Sequence, residues 1–412
     1  MSWKIRFQLW LMMFLEYFVW GAWYVTVGNY MTAIGLSDII YLAYLAGPIG
    51  AIVAPFFLGM IADRFFPTER VLSSLHIVGG VAMFLAPFLA RQNATLFIIF
   101  LLIHNLCYMP TIALTNSLSF HHMTNQEKEF PVIRVLGTIG WIIAGLFVSG
   151  VLHADETAIP LYVAGVSAVL LGLYCQTLPH TPPPSKGEEV SAREILGLDA
   201  IAQLGTRSFW VFIISSFLIT IPLSAYYSYG PVFANAAGVS DPAALFTLGQ
   251  VVEAVVILTI PFFFAWLGVK RILLLGMAAW VLRYGFFAGA APGGVFWMIV
   301  VGILLHGVCY DMFFISGQIY VDKISGKAIR GQAQGFLTLA TYGLGMFFGF
   351  LVSGWLFNNI VTGQVMEAMR QWQWFWIIPG AFAILVMIFF GTLFRDTVSE
   401  SGEEAAGTPA AT

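Results

Sequence analysis

The feature that most constrains this chain is its series of long apolar runs. Each has about 20 residues or more, the length at which a helix spans the hydrocarbon core of a bilayer. Only 9% of the 412 residues are charged, whereas a soluble domain carries about 25%. The sequence therefore predicts an all-α membrane protein with about twelve transmembrane helices. The runs lie near 8–32, 39–62, 71–91, 94–120, 131–152, 158–178, 208–236, 243–268, 271–290, 294–321, 330–359 and 372–394.

The positions of the basic residues predict the orientation of these helices. Outside the apolar runs, Lys and Arg fall in connections on one side, with Arg91 and Arg370 as the exceptions. Cytoplasmic loops carry the excess of Lys and Arg, so we expect both termini in the cytoplasm. The first run contains Glu16 and continues to about Tyr30. It is too long for the apolar core of a signal peptide, so we expect it to remain as the first span.

The two halves of the chain resemble each other. Three segments recur in the same order at offsets of 202 to 206 residues: 55–57 matches 261–263, 102–108 matches 304–310, and 145–150 matches 349–354. Parallel repeats of six helices build the major facilitator fold, in which the substrate site lies near the midplane between the halves. The repeat therefore predicts this fold, with two pseudo-symmetric six-helix halves.

The segment between the halves has a different composition. It contains Pro182, Pro183 and Pro184 followed by several charged residues, which break helices and favour water. We expect a cytoplasmic linker there, with a short interfacial helix near 190–203, and a disordered polar tail. The predicted division is an N-terminal half at 1–178, the linker at 179–207, a C-terminal half at 208–396 and the tail at 397–412.

Five charged residues lie inside or at the edge of the apolar runs, namely Glu16, Arg134, Glu253, Arg283 and Asp311. A charge at the centre of a bilayer costs about 2.5–3.5 kcal/mol, so each needs a partner, a watery cavity or a function. We expect Arg283 to pair with an acid and hold helices together, and we expect Glu253 or Asp311 to bind a proton. For Glu16, a structural pairing and a proton-coupling role both stay open.

Polar and aromatic residues recur at helical spacing beside these charges, which places them on shared helix faces. This pattern predicts a polar site lined by aromatic rings, while His104 and His306 are expected to pack or form hydrogen bonds. The sets of neighbouring residues are Glu16 with Trp20 and Trp23, Arg134 with Thr138 and Trp141, Gln250 with Glu253, His306 with Tyr310 and Asp311, and Ser224 with Tyr226 and Tyr227.

A charged connection follows the second predicted span. It contains Gly59, Asp63, Arg64 and Arg70, and its charges sit at helix ends, where they need not be buried. Such a connection can lock against neighbouring helix ends in one conformation and release in another. We therefore predict that these four residues form a gating element.

Other functional classes are disfavoured by the composition. The net charge of −3 argues against a nucleic-acid partner. Cys107, Cys175 and Cys309 lie inside apolar runs, in neither a disulfide nor a zinc pattern. The seven His are scattered, so we expect no metal, no cofactor and no enzyme activity. A sensor with a transporter fold is a further alternative, although the chain shows no added signalling domain.

The charged connection resembles the signature loop of major facilitator transporters, and the rest of the chain resembles one family among them. From about residue 10 to 395 it is similar to the bacterial nucleoside:proton symporters, particularly to a nucleoside transporter branch of that family. The segments that carry the resemblance are 20–23, 108–111, 130–134 with 137–140, 196–200, 257–263, 311–317 and 330–335.

This resemblance implies import of nucleosides with protons across the bacterial inner membrane. Nothing in the sequence demands more than a monomer. The resemblance also implies binding roles for Arg134, Thr138, Gln250, Glu253, Tyr310 and Asp311. The chain departs from better-known members at three places. Ser224 and Tyr227 stand where amide side chains are usual, and Trp141 stands where Phe is usual. These changes affect the base preference and leave the substrate itself open.

The mechanism expected from these residues is proton-coupled alternating access. The nucleoside base is expected to stack on Trp141 or Tyr310, with Asp311, Glu253 and Glu16 as candidate proton carriers. The alternative is a transporter of another polar solute, such as a modified nucleoside or a sugar, or a drug exporter.

Overall fold

The computed structural model describes residues 2–57, 65–183, 198–326, 329–363 and 366–395. The regular structure in these ranges is helical. The α-helices are α1 (Trp3–Trp23), α2 (Val27–Ala33), α3 (Ile40–Phe57), α4 (Thr68–Ala90), α5 (Ala94–His122), α6 (Gln126–Gly145), α7 (Ile159–Cys175), α8 (Leu198–Leu204), α9 (Arg207–Ala236), α10 (Pro242–Ala290), α11 (Phe296–Tyr310), α12 (Ser316–Ile324), α13 (Arg330–Thr338), α14 (Met346–Ile360) and α15 (Met366–Leu393). Three π-helical turns continue α6, α11 and α13, at Leu146–Val151, Asp311–Ile315 and Leu339–Gly345.

The number of membrane-crossing helices agrees with the expected fold class. Ten segments of the described chain are long and apolar enough to cross a membrane. One of them, Pro242–Gly293, has 52 residues and bends at Gly268, where φ is 69°, so it is long enough for two spans. The shorter apolar helix Ile159–Cys175 supplies another. Counted in this way the described helices provide twelve spans, which agrees with the prediction of an all-α membrane protein.

Large apolar side chains cover much of the helix surface. In α10, Leu258, Phe262 and Trp266 are 80%, 66% and 67% exposed. A soluble monomer rarely exposes a contiguous apolar face of this kind, whereas lipid solvates it at no cost. The exposed face therefore supports the membrane assignment that the apolar runs predict.

The first predicted span differs from the expectation of one helix. Helix α1 already begins at Trp3, with Ser2 accepting a hydrogen bond from the Ile5 amide, and it ends at Trp23. Helix α2 begins only at Val27. Between them the Thr26 hydroxyl donates to the Trp23 carbonyl at 3.0 Å, which satisfies one backbone acceptor that the break leaves open.

The chain divides into two compact units, which we describe separately. Unit 1 comprises residues 1–191, 224–247 and 346–359, and unit 2 comprises 192–223, 248–345 and 360–412. In unit 1, α1 packs against α6 and α7, and α5 packs against α3 and α4. Residues 184–197 of the predicted linker and the whole predicted tail at 397–412 lie outside the described part of the chain. Of the predicted interfacial segment at 190–203, residues 198–203 belong to α8.

Glycines allow the helices of unit 1 to approach closely. An added Cβ at Gly140 in α6 would lie 2.2 Å from the carbonyl oxygen of Phe14 in α1, and one at Gly165 would lie 2.7 Å from the Phe84 amide nitrogen. Small residues at such crossings bring helix backbones into contact, which is how packing stabilises helices in lipid.

We therefore expect Gly140→Val to lower the free energy of unfolding by about 1–3 kcal/mol or more, since overpacking forces backbone shifts. The measurement is thermal unfolding of the purified protein with a thiol-reactive dye, because Cys175 and Cys309 are free and buried. Gly335→Ala is the control, because a Cβ at Gly335 meets no atom within 4 Å. Equal melting temperatures for the two variants would contradict this account of the packing.

Candidate functional site

Unit 2 contains a buried chain of polar side chains that starts at Arg283. The Nη2 atom of Arg283 lies 3.0 Å from Nδ1 of His306, and Arg283 also contacts the thiol of Cys309. Since a guanidinium can only donate, Nδ1 of His306 accepts and its Nε2 carries the hydrogen. That Nε2 lies 4.0 Å from Oε2 of Glu253. His306 therefore links the Arg283 cation to the Glu253 carboxylate, and Arg283 reaches an acid through the imidazole.

Asp311 lies next to this chain in sequence, in a different environment. It is the first residue of the π-helical turn after α11 and is 0% exposed. Neither of its carboxyl oxygens has a hydrogen-bond partner in the part of the chain that the structure describes. Single π-helical turns inside α-helices are frequent at functional sites. A buried carboxyl without a donor is costly, so this residue is the strongest candidate for a functional acid in unit 2.

The other predicted site residues of unit 2 lie on α10 and at the end of α11. Gln250 and Glu253 are half-buried on α10. The hydroxyl of Tyr310 contacts the hydroxyl of Tyr342, and its ring lies 5.5 Å from the ring of His306. Gly307 lets α11 approach α10 here, because an added Cβ would lie 2.3 Å from the Glu253 amide nitrogen.

Unit 1 places the remaining predicted site residues on α6 and α9. The guanidinium carbon of Arg134 lies 4.1 Å from the centre of the Tyr17 ring, a cation–π contact. Thr138 and Trp141 follow along α6 and are half-buried. The Tyr17 ring thus holds the Arg134 guanidinium beside α1.

Four rings of unit 1 form what we call the aromatic cluster: Trp20, Tyr24, Trp141 and Tyr227. Trp141 lies edge-on to Trp20 at 5.2 Å and to Tyr24 at 6.0 Å. Tyr24 in turn lies edge-on to Tyr227 at 5.8 Å. Edge-to-face pairs of this kind fix ring positions, so Trp141 and Tyr227 are held in place before any ligand binds.

Ser224 is placed differently from Tyr227, although both were predicted to face a substrate. Ser224 is 0% exposed, and its hydroxyl donates to the sulfur of Met346 at 3.1 Å. A thioether is a weak acceptor. The Ser224 hydroxyl is thus engaged inside unit 1, while the half-buried Tyr227 belongs to the aromatic cluster.

Glu16 occupies a separate polar pocket in unit 1. The hydroxyl of Thr111 donates to its Oε1 at 2.7 Å, and Nε2 of His76 lies 2.9 Å from its Oε2. The hydroxyl of Tyr108 donates to the Glu16 carbonyl oxygen at 2.7 Å. The role of His76 could not be predicted from sequence, because a lone histidine in an apolar run carries no signal until its partner, 60 residues away in sequence, is located.

The predicted gating residues Gly59, Asp63 and Arg64 lie outside the described residues. Arg70 is on the first turn of α4 and is exposed. Its neighbour Glu69 accepts hydrogen bonds from the Thr181 amide at 3.0 Å and from His180 at 2.8 Å. The gating role of the connection stays a prediction.

A polar contact in unit 1 joins the connection before α7 to the start of α10. Asp155 is 3% exposed, and its Oδ1 accepts from the Ala243 amide at 3.0 Å. Nearby, Nδ1 of His153 lies 2.6 Å from Oδ1 of Asp241. Burial raises the pKa of the Asp155 carboxyl above its usual value. A raised pKa means that the closed contact binds a proton more tightly than the open state, so the contact gains stability as the pH falls and loses it as the pH rises through the raised value.

We expect Asp155→Ala to open this contact about fivefold more often, since removing a helix N-cap acceptor costs about 1 kcal/mol. The measurement is hydrogen exchange at the Ala243 amide, corrected for the intrinsic pH dependence of exchange. Asp155→Asn should keep the protection but lose its pH dependence. The control is Glu156→Gln at the neighbouring exposed residue, whose Oε1 accepts from Asn235. Unchanged exchange in Asp155→Ala would refute a capping role.

Among the described residues, apolar helical segments contain the acids Glu16, Glu253 and Asp311 and the cations Arg134 and Arg283, an arrangement suited to a proton-linked carrier of a polar solute. A family model described as Nucleoside H+ symporter matches residues 3–399 of this chain. The protein belongs to the nucleoside H+ symporter family. The match covers nearly the whole chain and confirms the resemblance that its motifs indicated.

Individual members of the nucleoside H+ symporter family are similar to this chain along its length. It is 37% identical to YegT of Escherichia coli (strain K12), with 96% of this chain and 95% of that protein covered. It is 32% identical to the xanthosine permease of the same organism, covering 94% and 96%. It is also 30% identical to the E. coli nucleoside permease NupG, covering 95% and 96%.

Solved structures of transporters share the fold of this family member. The crystal structure of the nucleoside transporter NupG matches with a TM-score of 0.84 at 29% identity, covering 95% of this chain and 99% of that one. A D-xylose–proton symporter matches with a TM-score of 0.70 at 14% identity, which shows the fold alone. The fold is that of the major facilitator transporters.

Proposed function

We propose that this protein imports nucleosides together with protons across the inner membrane of a bacterium, as a monomer with both termini in the cytoplasm. The observation that carries this function is the match of residues 3–399 to the nucleoside H+ symporter family. The buried acids Glu16 and Asp311 supply groups that can hold a proton away from water. The relatives are transporters, which favours transport without catalysis.

Two sets of side chains are proposed to take part in nucleoside binding. In unit 1 the set is Arg134, Thr138, Trp141 and Tyr227, with Ser224 supporting it from within. In unit 2 the set is Gln250, Glu253 and Tyr310. Arg134, Gln250 and Glu253 offer donors and acceptors to ribose hydroxyls and to the base edge, and Trp141 or Tyr310 offers a ring face to the base. Stacking of a base on an aromatic ring contributes about 1–3 kcal/mol where it has been measured in nucleic-acid binding.

The proton gradient is sufficient to drive accumulation by this route. One charge crossing 100 mV provides roughly 2.3 kcal/mol, and one pH unit provides about 1.4 kcal/mol more. With about 1.4 kcal/mol for each factor of ten, one proton supports an accumulation of roughly several hundredfold. Asp311 is the proposed principal proton carrier, with Glu253 and Glu16 as further candidates. Alternating access would expose the loaded acid to one side of the membrane at a time.

The experiment that tests the substrate class is competition for uptake. Proteoliposomes containing the purified protein take up labelled uridine under an inward proton gradient, and unlabelled adenosine, xanthosine, free bases, ribose and xylose are added in turn. Inhibition by nucleosides but not by free bases or sugars is the expected result. Inhibition by a sugar or by an apolar drug alone, with no nucleoside effect, would favour another solute and refute the proposal.

Trp141 provides a specific prediction about base recognition. We expect Trp141→Ala to weaken nucleoside binding by about ten- to a hundredfold, since base–aromatic stacking contributes about 1–3 kcal/mol. Trp141→Phe, which keeps a ring, should stay within about threefold. The measurement is the Kd for uridine and adenosine by calorimetry, with Trp210→Ala as control, because Trp210 lies outside the aromatic cluster and is 38% exposed. Equal Kd values for Trp141→Ala and the unmodified protein would exclude stacking there.

A further inference from the structure

The polar pocket around Glu16 contains an acid and a base in direct contact. Nε2 of His76 lies 2.9 Å from Oε2 of Glu16, and the two side chains are 1% and 0% exposed. The other carboxyl oxygen of Glu16 accepts from Thr111 at 2.7 Å. Helices α1, α4 and α5 thus each contribute one side chain to a sealed carboxyl–imidazole pair.

The number of protons on this pair follows from its burial. A carboxylate facing an imidazolium and a carboxylic acid facing a neutral imidazole both hold one proton that the pair can release, so the count is one in either arrangement. Removing that proton would leave an unbalanced negative charge on a pair that water does not reach, and a buried unpaired charge is very costly. The sealed pair therefore keeps its proton until a change of conformation admits water.

Several polar and charged groups face the Glu16–His76 pair, and none of them takes over the role of the proton that balances its charge. They are Tyr17 on α1, Tyr108 and His104 on α5, Arg134 on α6 and Cys175 on α7. Nδ1 of His104 lies 3.0 Å from the Gly79 carbonyl oxygen. Because a carbonyl oxygen can only accept, Nδ1 carries the hydrogen and donates it to this carbonyl and not to an acid. Arg134 is the one cation facing the pair in the described part of the chain, and its guanidinium lies on the Tyr17 ring, one residue after Glu16.

We propose that the Glu16–His76 pair is a second site that the one coupled proton occupies during the transport cycle, besides Asp311, so that loss of either site uncouples transport. This proposal rests on the proposed function of the protein. The proton passes between the pair and water when unit 1 opens, and no other bond forms or breaks. Arg134 couples the pair to the substrate. A nucleoside that contacts its guanidinium changes the electric field at Glu16, because the guanidinium lies on the ring of Tyr17, the residue after Glu16.

The test compares three variants in proteoliposomes: Glu16→Gln, His76→Gln and the control His104→Gln. Gln at position 16 can still accept from Thr111 but cannot bind and release a proton. We expect Glu16→Gln and His76→Gln to exchange labelled for unlabelled uridine, without a gradient, within about threefold of the unmodified rate. Under an inward proton gradient, their accumulation ratio should fall to about one. His104→Gln should keep accumulation.

Infrared difference spectra give a readout that a structural role would not change. A pH step should produce a carboxyl or imidazole band that is absent in Glu16→Gln or in His76→Gln and retained in Asp311→Asn. Normal accumulation in Glu16→Gln, or a parallel loss of exchange and accumulation with a lowered melting temperature in both pair variants, would overturn the proposal. If the unmodified protein fails to accumulate any nucleoside, the proposed function fails. The infrared experiment then decides on the pair alone, and absence of any band that depends on Glu16 or His76 would overturn it.

Discussion

Asp311→Asn is expected to abolish proton-driven accumulation of nucleosides while leaving exchange without a gradient intact. Asp311 is fully buried, and its carboxyl oxygens have no hydrogen-bond partner in the described ranges. A charge that is buried here, without a hydrogen-bond donor among the described residues, costs several kcal/mol. A neutral asparagine reproduces the protonated form but cannot release a proton. The protein should therefore still carry the nucleoside across the membrane, but the proton gradient should no longer drive its accumulation.

The expected size of the effect is the whole coupling energy. Accumulation should fall from roughly several hundredfold, the limit for one proton, to about one. The measurement is the steady-state ratio of labelled uridine inside and outside proteoliposomes, with exchange measured in parallel. The matched control is Asp322→Asn, because Asp322 is 43% exposed and forms an ion pair with Arg330 at 2.7 Å; exposed pairs contribute about 0–1 kcal/mol. Full accumulation by Asp311→Asn would remove Asp311 from the proton pathway.

Replacement of Arg134 should have the largest effect on binding. Arg134 lies 4.1 Å from the centre of the Tyr17 ring, which fixes the guanidinium on α6. Hydrogen bonds to a charged group contribute about 1.5–3 kcal/mol each, so we expect Arg134→Ala to raise the Kd for uridine by about ten- to a hundredfold. Arg134→Lys should recover only part of this, because an ammonium lacks the planar fork of donors.

The control for Arg134 comes from the same helix. Lys128→Ala removes a cation near the start of α6, where the side chain is exposed, and should leave the Kd within about twofold. Calorimetric titration with uridine measures all three variants. A Kd for Arg134→Ala equal to that of Lys128→Ala would show that Arg134 does not contact the nucleoside and serves packing through Tyr17.

The fold could be predicted from sequence because the length of an apolar run determines whether it can cross a bilayer as a helix. The spans predicted near 243–268 and 271–290 meet where Gly268 adopts a φ of 69° and bends α10. The break between α1 and α2 was not predicted, because the run from Trp20 to Tyr30 contains neither a proline nor a charged residue. At the break the amide and the hydroxyl of Thr26 both donate to the Trp23 carbonyl, and a single Thr in such a run does not signal a break.

The candidate site could be predicted from sequence only in part. Helical spacing shows which residues are neighbours on one helix, but it does not show which residues on different helices are in contact. The set with Arg134 and Trp141 was predicted, and the charges in apolar runs were identified individually. The contact of Glu16 with His76 and the chain from Arg283 through His306 depend on helix packing. Ser224 shows the same limit, since the pattern cannot distinguish a hydroxyl that faces a ligand from one that donates to the sulfur of Met346.

The central claim is that a nucleoside and a proton cross together, and nucleoside-induced acidification tests it most directly. Proteoliposomes with a pH-sensitive dye inside receive uridine outside at equal pH on both sides and with the membrane potential clamped at zero. We expect the interior to acidify when uridine is added, to stay unchanged with ribose, and to stay unchanged in Asp311→Asn. Uptake of labelled uridine without any acidification would contradict the account and make the protein a carrier of nucleosides alone.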